Sequence, residues 1–237
     1  IGFALFSDNP TYAAKIKTFF ALAPVSTVGY ITSKIREIAP YSNIIYNILD
    51  KLSIESLGDL TWIFQYIVKE TCDHNNQYAQ MLCNNVLVAL LGPTETSTLN
   101  QTNIPVFVSH NPAGESVQDV VHFGQMVNSK QMQKFNYNSK ALNFAHYHQD
   151  TPPLYHVENM RTDTVLFWSD MDALADPTDV GLLVPKIQNL RQVHLKSFTH
   201  FDFIWALQAS KLVYEPLIAM MDARMLQQDH QQQQKKG

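Results

Sequence analysis

Two short apolar runs flank a capped helical segment, and this arrangement limits the fold more than any other feature of the chain. "DTVLFWSD" at 163–170 is β-branched and aromatic, and acids bound it on both sides. "RQVHLKSF" at 191–198 reads as a strand by its alternation. Between them Asp176 stands where an N-cap belongs, Pro177 at the first helical position and Asp179 in the first turn. "VGLLVPKIQNL" continues with helical apolar spacing, which Pro185 should shorten or kink. Strand, helix, strand predicts a parallel pair joined by a right-handed crossover. "KIKTFFALAPV" at 15–25 supplies a further buried strand, so the class is α/β.

The rest of the chain divides around these strands. Its 237 residues suit one large domain, or a domain carrying an insertion, and 46% are hydrophobic. Residues 1–26 and 151–225 hold the sheet signals; 27–150 reads as a helical insertion between strands. There "LGDLTWIFQYIVKET" places Leu60, Ile63, Phe64, Ile67 and Val68 on one stripe. "NPAGESVQDVVHFGQMV" at 111–127 opens on an Asn-Pro cap and runs Val117, Val120, Val121, Gly124, Val127. The last stretch, 226–237, is low-complexity and predicts disorder. "IGFALFSDNP" at the start shows no cationic leader and reads as a helix already under way.

Charge and hydropathy exclude some partners. A formal net charge of −4 and the lack of any basic run interleaved with aromatics argue against nucleic acid. No apolar run approaches the ~18 residues of a membrane span. Cys72 and Cys83 flank a short polar segment, which suits a disulfide as well as it suits two buried thiols. Asn100-Gln101-Thr102 is an N-glycosylation sequon.

Loops after the C-terminal ends of parallel strands are where such folds carry chemistry. One loop, "SDMDALADP", holds Asp170, Asp172 and Asp176; the other holds Thr199-His200. If the two strands are neighbours, an aspartate and a histidine meet at one sheet edge. A carboxylate there fixes the imidazole tautomer and stabilises the imidazolium as it forms. Asp176 is explained as a helix cap and Asp170 as a turn residue; Asp172 has no evident local task and is the candidate partner of His200. The three acids lack the glycine and terminal glutamate of a calcium loop. His146 and His148 share one face if their segment is extended, a spacing that can ligate zinc, but no third ligand is near. His110 reads as a loop residue. No GxSxG occurs, Ser116 falls inside a predicted helix, and the cysteines lie away from any elbow. The pair therefore has no nucleophile within these residues, and no metal or cofactor is expected.

Several longer strings carry a resemblance. "IGFALFSDNPTYAAKIKTFFALAPV", "LCNNVL", "HNPAGESVQDVVHFGQMV", "FNYNSKALNFAHYHQDTPPLYHVENM", "DALADPTDV" and "THFDFIWAL" resemble the C-terminal part of the acid lipases. These are the gastric and lysosomal group within the α/β-hydrolase superfamily. The resemblance implies a partial α/β-hydrolase fold with a helical cap and lid over 27–150. It puts the acid of a Ser-Asp-His triad on Asp172 and the histidine on His200, in the serine–acid–histidine order of that superfamily. The serine elbow of the family would stand just before Ile1.

The resemblance also implies a disulfide between Cys72 and Cys83, glycosylation at Asn100, and a secreted or lysosomal protein acting on lipid esters at a lipid–water interface. Trp62, Phe64 and Leu90 would face lipid. Two departures stand out: the family's loop before the acid carries two glycines where "WSDMD" has none, and the cysteine spacing is longer than usual. The alternative is a non-catalytic lipid-binding homologue, or a truncated product without activity. A partial parallel sheet also leaves an open edge, which favours aggregation.

Overall fold

The computed structural model describes residues 1–56 and 114–234, together with Gly58, Asn103, Val106, Phe107 and His110. Among the described residues, three strands form one parallel sheet: β1 (Thr18–Leu22), β2 (Asp163–Ser169) and β3 (Leu190–Leu195), in the order β1-β2-β3. Register pairs Leu22 with Phe167 and Ser169 with Leu195. The fold is α/β, a parallel sheet with helices packed on it, as the strand–helix–strand pattern requires.

The central strand shows why its sequence is a continuous apolar run. Thr164, Val165, Leu166, Phe167 and Ser169 of β2 are all buried, because helices cover both faces of the sheet. Side chains alternate between those faces. Leu166 joins a core with Phe3, Phe6, Ala21, Met160, Leu183 and Ile187. Val165 and Phe167 join the opposite core, with Phe198, Phe203, Ala209 and Val213. Helix α1 (Gly2–Asp8) serves the first core, and its Phe3 and Phe6 meet Phe19 of β1 edge-on with centroids 5.1 Å apart. Helix α2 (Pro10–Ala13), capped by the Asn9 side chain, turns the chain into β1.

The strands are shorter than their apolar patterns. β3 ends at Leu195, not Phe198, because its neighbour β2 ends opposite it at Ser169. Phe198 is nevertheless buried, in the core rather than in the sheet. β1 begins at Thr18 because Lys15 and Ile16 still donate their backbone N–H groups to α2 carbonyls.

Helices occupy the described part of the long connection from β1 to β2. They are α3 (Ile35–Ile38), a 3₁₀ turn (Ala39–Tyr41), α4 (Ser42–Lys51), α5 (Val117–Ser129), α6 (Lys140–Tyr147) and a second 3₁₀ turn (Val157–Asn159). α5 begins later than the Asn-Pro pair suggested. Ser116 is its N-cap, accepting from Gln118 N at 3.2 Å, and so is not inside the helix. Val117, Val121, Gly124 and Val127 are buried, while Val120 is exposed. α6 corrects the extended reading of "FAHYHQD" at 144–150. Ser139 caps it, and it holds His146 in its last turn while His148 is its C-cap, so the two histidines do not lie along one face of an extended segment. His146 instead stacks on Tyr137 at 4.0 Å, and His148 ends the helix in a left-handed conformation.

After β2 comes α7 (Pro177–Leu183), which a 3₁₀ turn over Val184–Lys186 closes at Pro185, as the proline predicts. After β3 come the short α8 (Asp202–Trp205), a π-helical turn (Ser210–Tyr214) and α9 (Glu215–Gln234). α9 is helical through the glutamine run, where low complexity suggested disorder; glutamine, methionine and leucine are good helix formers. No helix among the described residues is long and apolar enough to cross a membrane.

Candidate active site

Two loops leave the C-terminal ends of adjacent strands, and each is folded by its own side chains. In the loop after β2, Ser169 Oγ accepts from Met171 N at 3.2 Å. Asp172 Oδ1 then accepts from Leu174 N at 2.9 Å and Ala175 N at 2.8 Å. Asp176 Oδ1 accepts from Thr178 N at 2.8 Å and caps α7, as the sequence suggests. Short polar side chains that bond backbone N–H groups two or three residues on make tight turns of this kind. Asp172 thus has a local task that sequence reasoning did not find: its carboxylate closes the turn that carries it.

The loop after β3 is pinned from the other side. Thr199 donates both its backbone N–H and its hydroxyl to Asp202 Oδ2, at 2.7 and 2.8 Å. Phe198, Thr199 and Asp202 are buried, so His200 projects from a turn anchored on both flanks.

The two loops meet. His200 Nδ1 lies 3.0 Å from Asp172 Oδ2 and 3.1 Å from Oδ1. The Asp172 side chain is 0% exposed and the His200 side chain 23%. A fully buried carboxylate without a partner would be costly; here it accepts from two backbone amides and faces an imidazole. Because a carboxylate only accepts, the ring nitrogen facing it carries the proton. In the neutral ring that leaves the Nε2 lone pair free to act as a base. His200 packs edge-on against Phe201, which leans on Trp205 at 4.3 Å, and Trp205 stacks on Phe107 at 5.0 Å.

The other candidates separate. Asp170 Oδ1 pairs with His194 Nε2 at 2.9 Å, with side chains 51% and 37% exposed, and His194 lies against Trp168. The turn residue of the sequence reading is therefore half of a second, solvent-exposed aspartate–histidine pair. Asp170, Asp172 and Asp176 do not converge, and no three His, Cys, Asp or Glu side chains among the described residues are grouped to hold a metal. His110 is exposed and helical rather than in a loop. Cys72, Cys83, Asn100, Trp62, Leu90 and the stripe residues Leu60, Ile63, Phe64, Ile67 and Val68 lie outside the described residues. A cleft of about 420 Å³, lined by Ile16, Arg161, Thr162, Asp163, Asn189 and Arg224 among others, sits at the opposite end of the strands from His200.

Two buried aspartates near this pair were not singled out by sequence reasoning. Asp202 stands three residues after Thr199, the spacing of a capping box, and that signal was available. Asp179 was placed in a first helical turn, where an acid is ordinary; nothing in its spacing marks it as 2% exposed.

Comparison with known proteins gives close relatives by sequence. The chain is 39% identical over 222 residues to gastric triacylglycerol lipase of Rattus norvegicus, covering 93% of this chain and 55% of that protein. It is 38% identical over 225 residues to human lipase member K, covering 94% and 55%. It is 35% identical over 224 residues to human lysosomal acid lipase/cholesteryl ester hydrolase, covering 93% and 54%. The chain thus spans about half the length of the curated relatives it matches. No protein-family model matches it. Among solved structures, an alpha/beta hydrolase enzyme from a Medee basin deep-sea metagenome library aligns over 94% of this chain and 60% of its own, with a TM-score of 0.38 and 12% identity.

Proposed function

The chain belongs to the acid lipase family of the α/β-hydrolases, and from that premise we propose that the protein hydrolyses acyl esters of neutral lipids, triacylglycerols or sterol esters. His200 and Asp172 are two members of its triad, and the serine comes from residues outside these 237. The observation that carries this reading is the buried Asp172 carboxylate held against His200 Nδ1 at 3.0 Å.

The chemistry follows from that contact. His200 Nε2 takes the proton of the serine hydroxyl as the oxygen attacks the ester carbonyl. Asp172 keeps the ring in the required tautomer and offsets the imidazolium charge. His200 returns the proton to the leaving alcohol, and water then releases the fatty acid from the acyl-enzyme by the same route. The protein works at a lipid–water interface with 27–150 as its cap and lid, and needs no cofactor. As in relatives named gastric and lysosomal, a secreted or lysosomal location fits, with Cys72–Cys83 disulfide-bonded and Asn100 glycosylated.

A fluorophosphonate probe tests the proposal on the full-length natural polypeptide. It should label the protein, the protein should release fatty acid from a triacylglycerol or cholesteryl ester emulsion, and His200→Gln should abolish both. A folded, unlabelled full-length protein would be a non-catalytic lipid-binding homologue instead. The 237-residue chain alone should neither label nor hydrolyse, since it holds no GxSxG.

A further inference from the structure

Asp179 is a buried carboxylate with no part in the chemistry above. It projects from the first turn of α7 and reaches the segment that follows β1. Thr27 Oγ1 donates to its Oδ1 at 2.7 Å, Gly29 N to Oδ1 at 3.2 Å and Tyr30 N to Oδ2 at 2.8 Å. An exposed acid in a first turn meets only the helix dipole; burial with three donors is a different arrangement. The far side of the same segment touches the acid loop: Thr32 N and Ser33 N both donate to Ala173 O, at 3.0 and 3.2 Å. Ala173 is the residue next to Asp172.

These contacts close a ring. It runs from Asp172 through the Asp176 cap to Asp179, across to Thr27–Tyr30, along to Ser33, and back to Ala173. Val28 and Ile31 inside it are fully buried, in a core with Ala39 and with Val127 of α5. The position of the acid loop is thereby tied to the helical region between β1 and β2.

We propose that Asp179 is a positioning residue for the Asp172–His200 pair, fixing the 27–33 segment so that its amides hold Ala173 and set the height of the Asp172 carboxylate. The inference rests on the reading of that pair as catalytic. Asp179 touches neither substrate nor serine; it acts through the backbone beside Asp172.

The test uses the full-length polypeptide with Asp179→Asn, Thr27→Val and Thr27→Ser. Two quantities are read on folded protein: kcat and KM on a soluble short-chain ester, and the downfield proton NMR signal of His200 Nδ1–H, assigned by its loss in His200→Gln. Asp179→Asn should lower kcat by about 10- to 100-fold, the scale of a sub-ångström to ångström misplacement, with KM little changed and the His200 signal shifted or broadened. Thr27→Val should do the same more weakly, and Thr27→Ser, which keeps the hydroxyl, should restore both. Folded variants with the parent kcat, or with a lowered kcat and an unmoved His200 signal, would overturn the inference. If Asp179→Asn does not fold, Thr27→Val, which removes one of the three bonds, decides. Failure of the lipase reading shows separately, as absence of hydrolysis in the unmutated protein, and the NMR signal still reports whether Asp179 governs the pair.

Discussion

His200 and Asp172 are 28 residues apart in the chain, and their side chains lie 3.0 Å apart at Nδ1 and Oδ2 because each follows one of two adjacent parallel strands. The carboxylate also accepts from Leu174 N and Ala175 N, so the proposed chemistry and the folding of the turn would use the same atoms. The two uses can be separated. Asp172→Asn keeps an oxygen for the turn but presents an N–H to the ring, which favours the tautomer whose Nε2 cannot act as base. In the full-length protein kcat should fall by about a thousand- to ten-thousand-fold, with a stability loss under about 1 kcal/mol. Asp172→Ala leaves two backbone N–H groups unpaired, one of them buried, and should cost about 2–3 kcal/mol. Equal unfolding midpoints for the two variants would contradict this division.

The second pair, Asp170 with His194, provides a control two residues away. It is solvent-exposed, and exposed ion pairs contribute at most about 1 kcal/mol. In the full-length protein His194→Gln should shift stability by less than that and leave kcat intact, whereas His200→Gln should abolish turnover. A large kcat loss in His194→Gln would mean that the catalytic histidine has been misassigned.

Gly124 marks a close approach of α5 to the start of α4. A Cβ built there would stand 2.7 Å from Ser42 Cβ, and Ser42 is itself buried. Alanine in a helix interior is favoured over glycine by about 1 kcal/mol, while overpacking typically costs about 1–3 kcal/mol. The clash is with a short side chain near its backbone, so the second effect should win and Gly124→Ala should destabilise. Adding Ser42→Gly should recover most of the loss, because the residues share one contact. Urea unfolding of both single variants and the double variant measures the coupling; strict additivity would remove the proposed clash.

What the residue pattern revealed, and what it did not, follows the range of the forces involved. The strands around Phe167 and Val193 and the Asp176–Pro177 helix start were legible, since period, capping and proline geometry are local. Strand ends were not: β3 stops at Leu195 because β2 stops opposite it, a fact about a partner. His146 and His148 were misread because alternation over a few residues cannot be told from a short helix that Ser139 caps. Topology and resemblance pointed to a contact between Asp172 and His200, and the two side chains do meet, yet the turn that Asp172 closes and the Thr199–Asp202 clasp went unnoticed. Asp179 shows the limit most clearly. Its three donors lie about 150 residues earlier in the chain, and no window around a first-turn acid contains them.

Alkaline pH should expose one more half-buried polar contact. Tyr147 donates to Phe135 O at 2.9 Å, and burial, with Tyr137 nearby, pushes its phenol from the usual 10.0 to about 12. The fold therefore holds this proton more tightly than the unfolded chain does. The contribution is fully present below pH 10 and is lost as pH rises through about 12. Tyr46, Tyr155 and Tyr214 are raised in the same direction by burial, and Lys34 by Glu37, so the unmodified protein should weaken over this range from several sources. The difference between it and Tyr147→Phe isolates one. At neutral pH Tyr147→Phe should be less stable by about 1 kcal/mol, the net worth of a hydrogen bond, and the gap should narrow between pH 10 and 12. Urea midpoints taken at half-unit steps measure it, and curves that stay parallel up to pH 12 would show that the Tyr147 proton is not held by the fold.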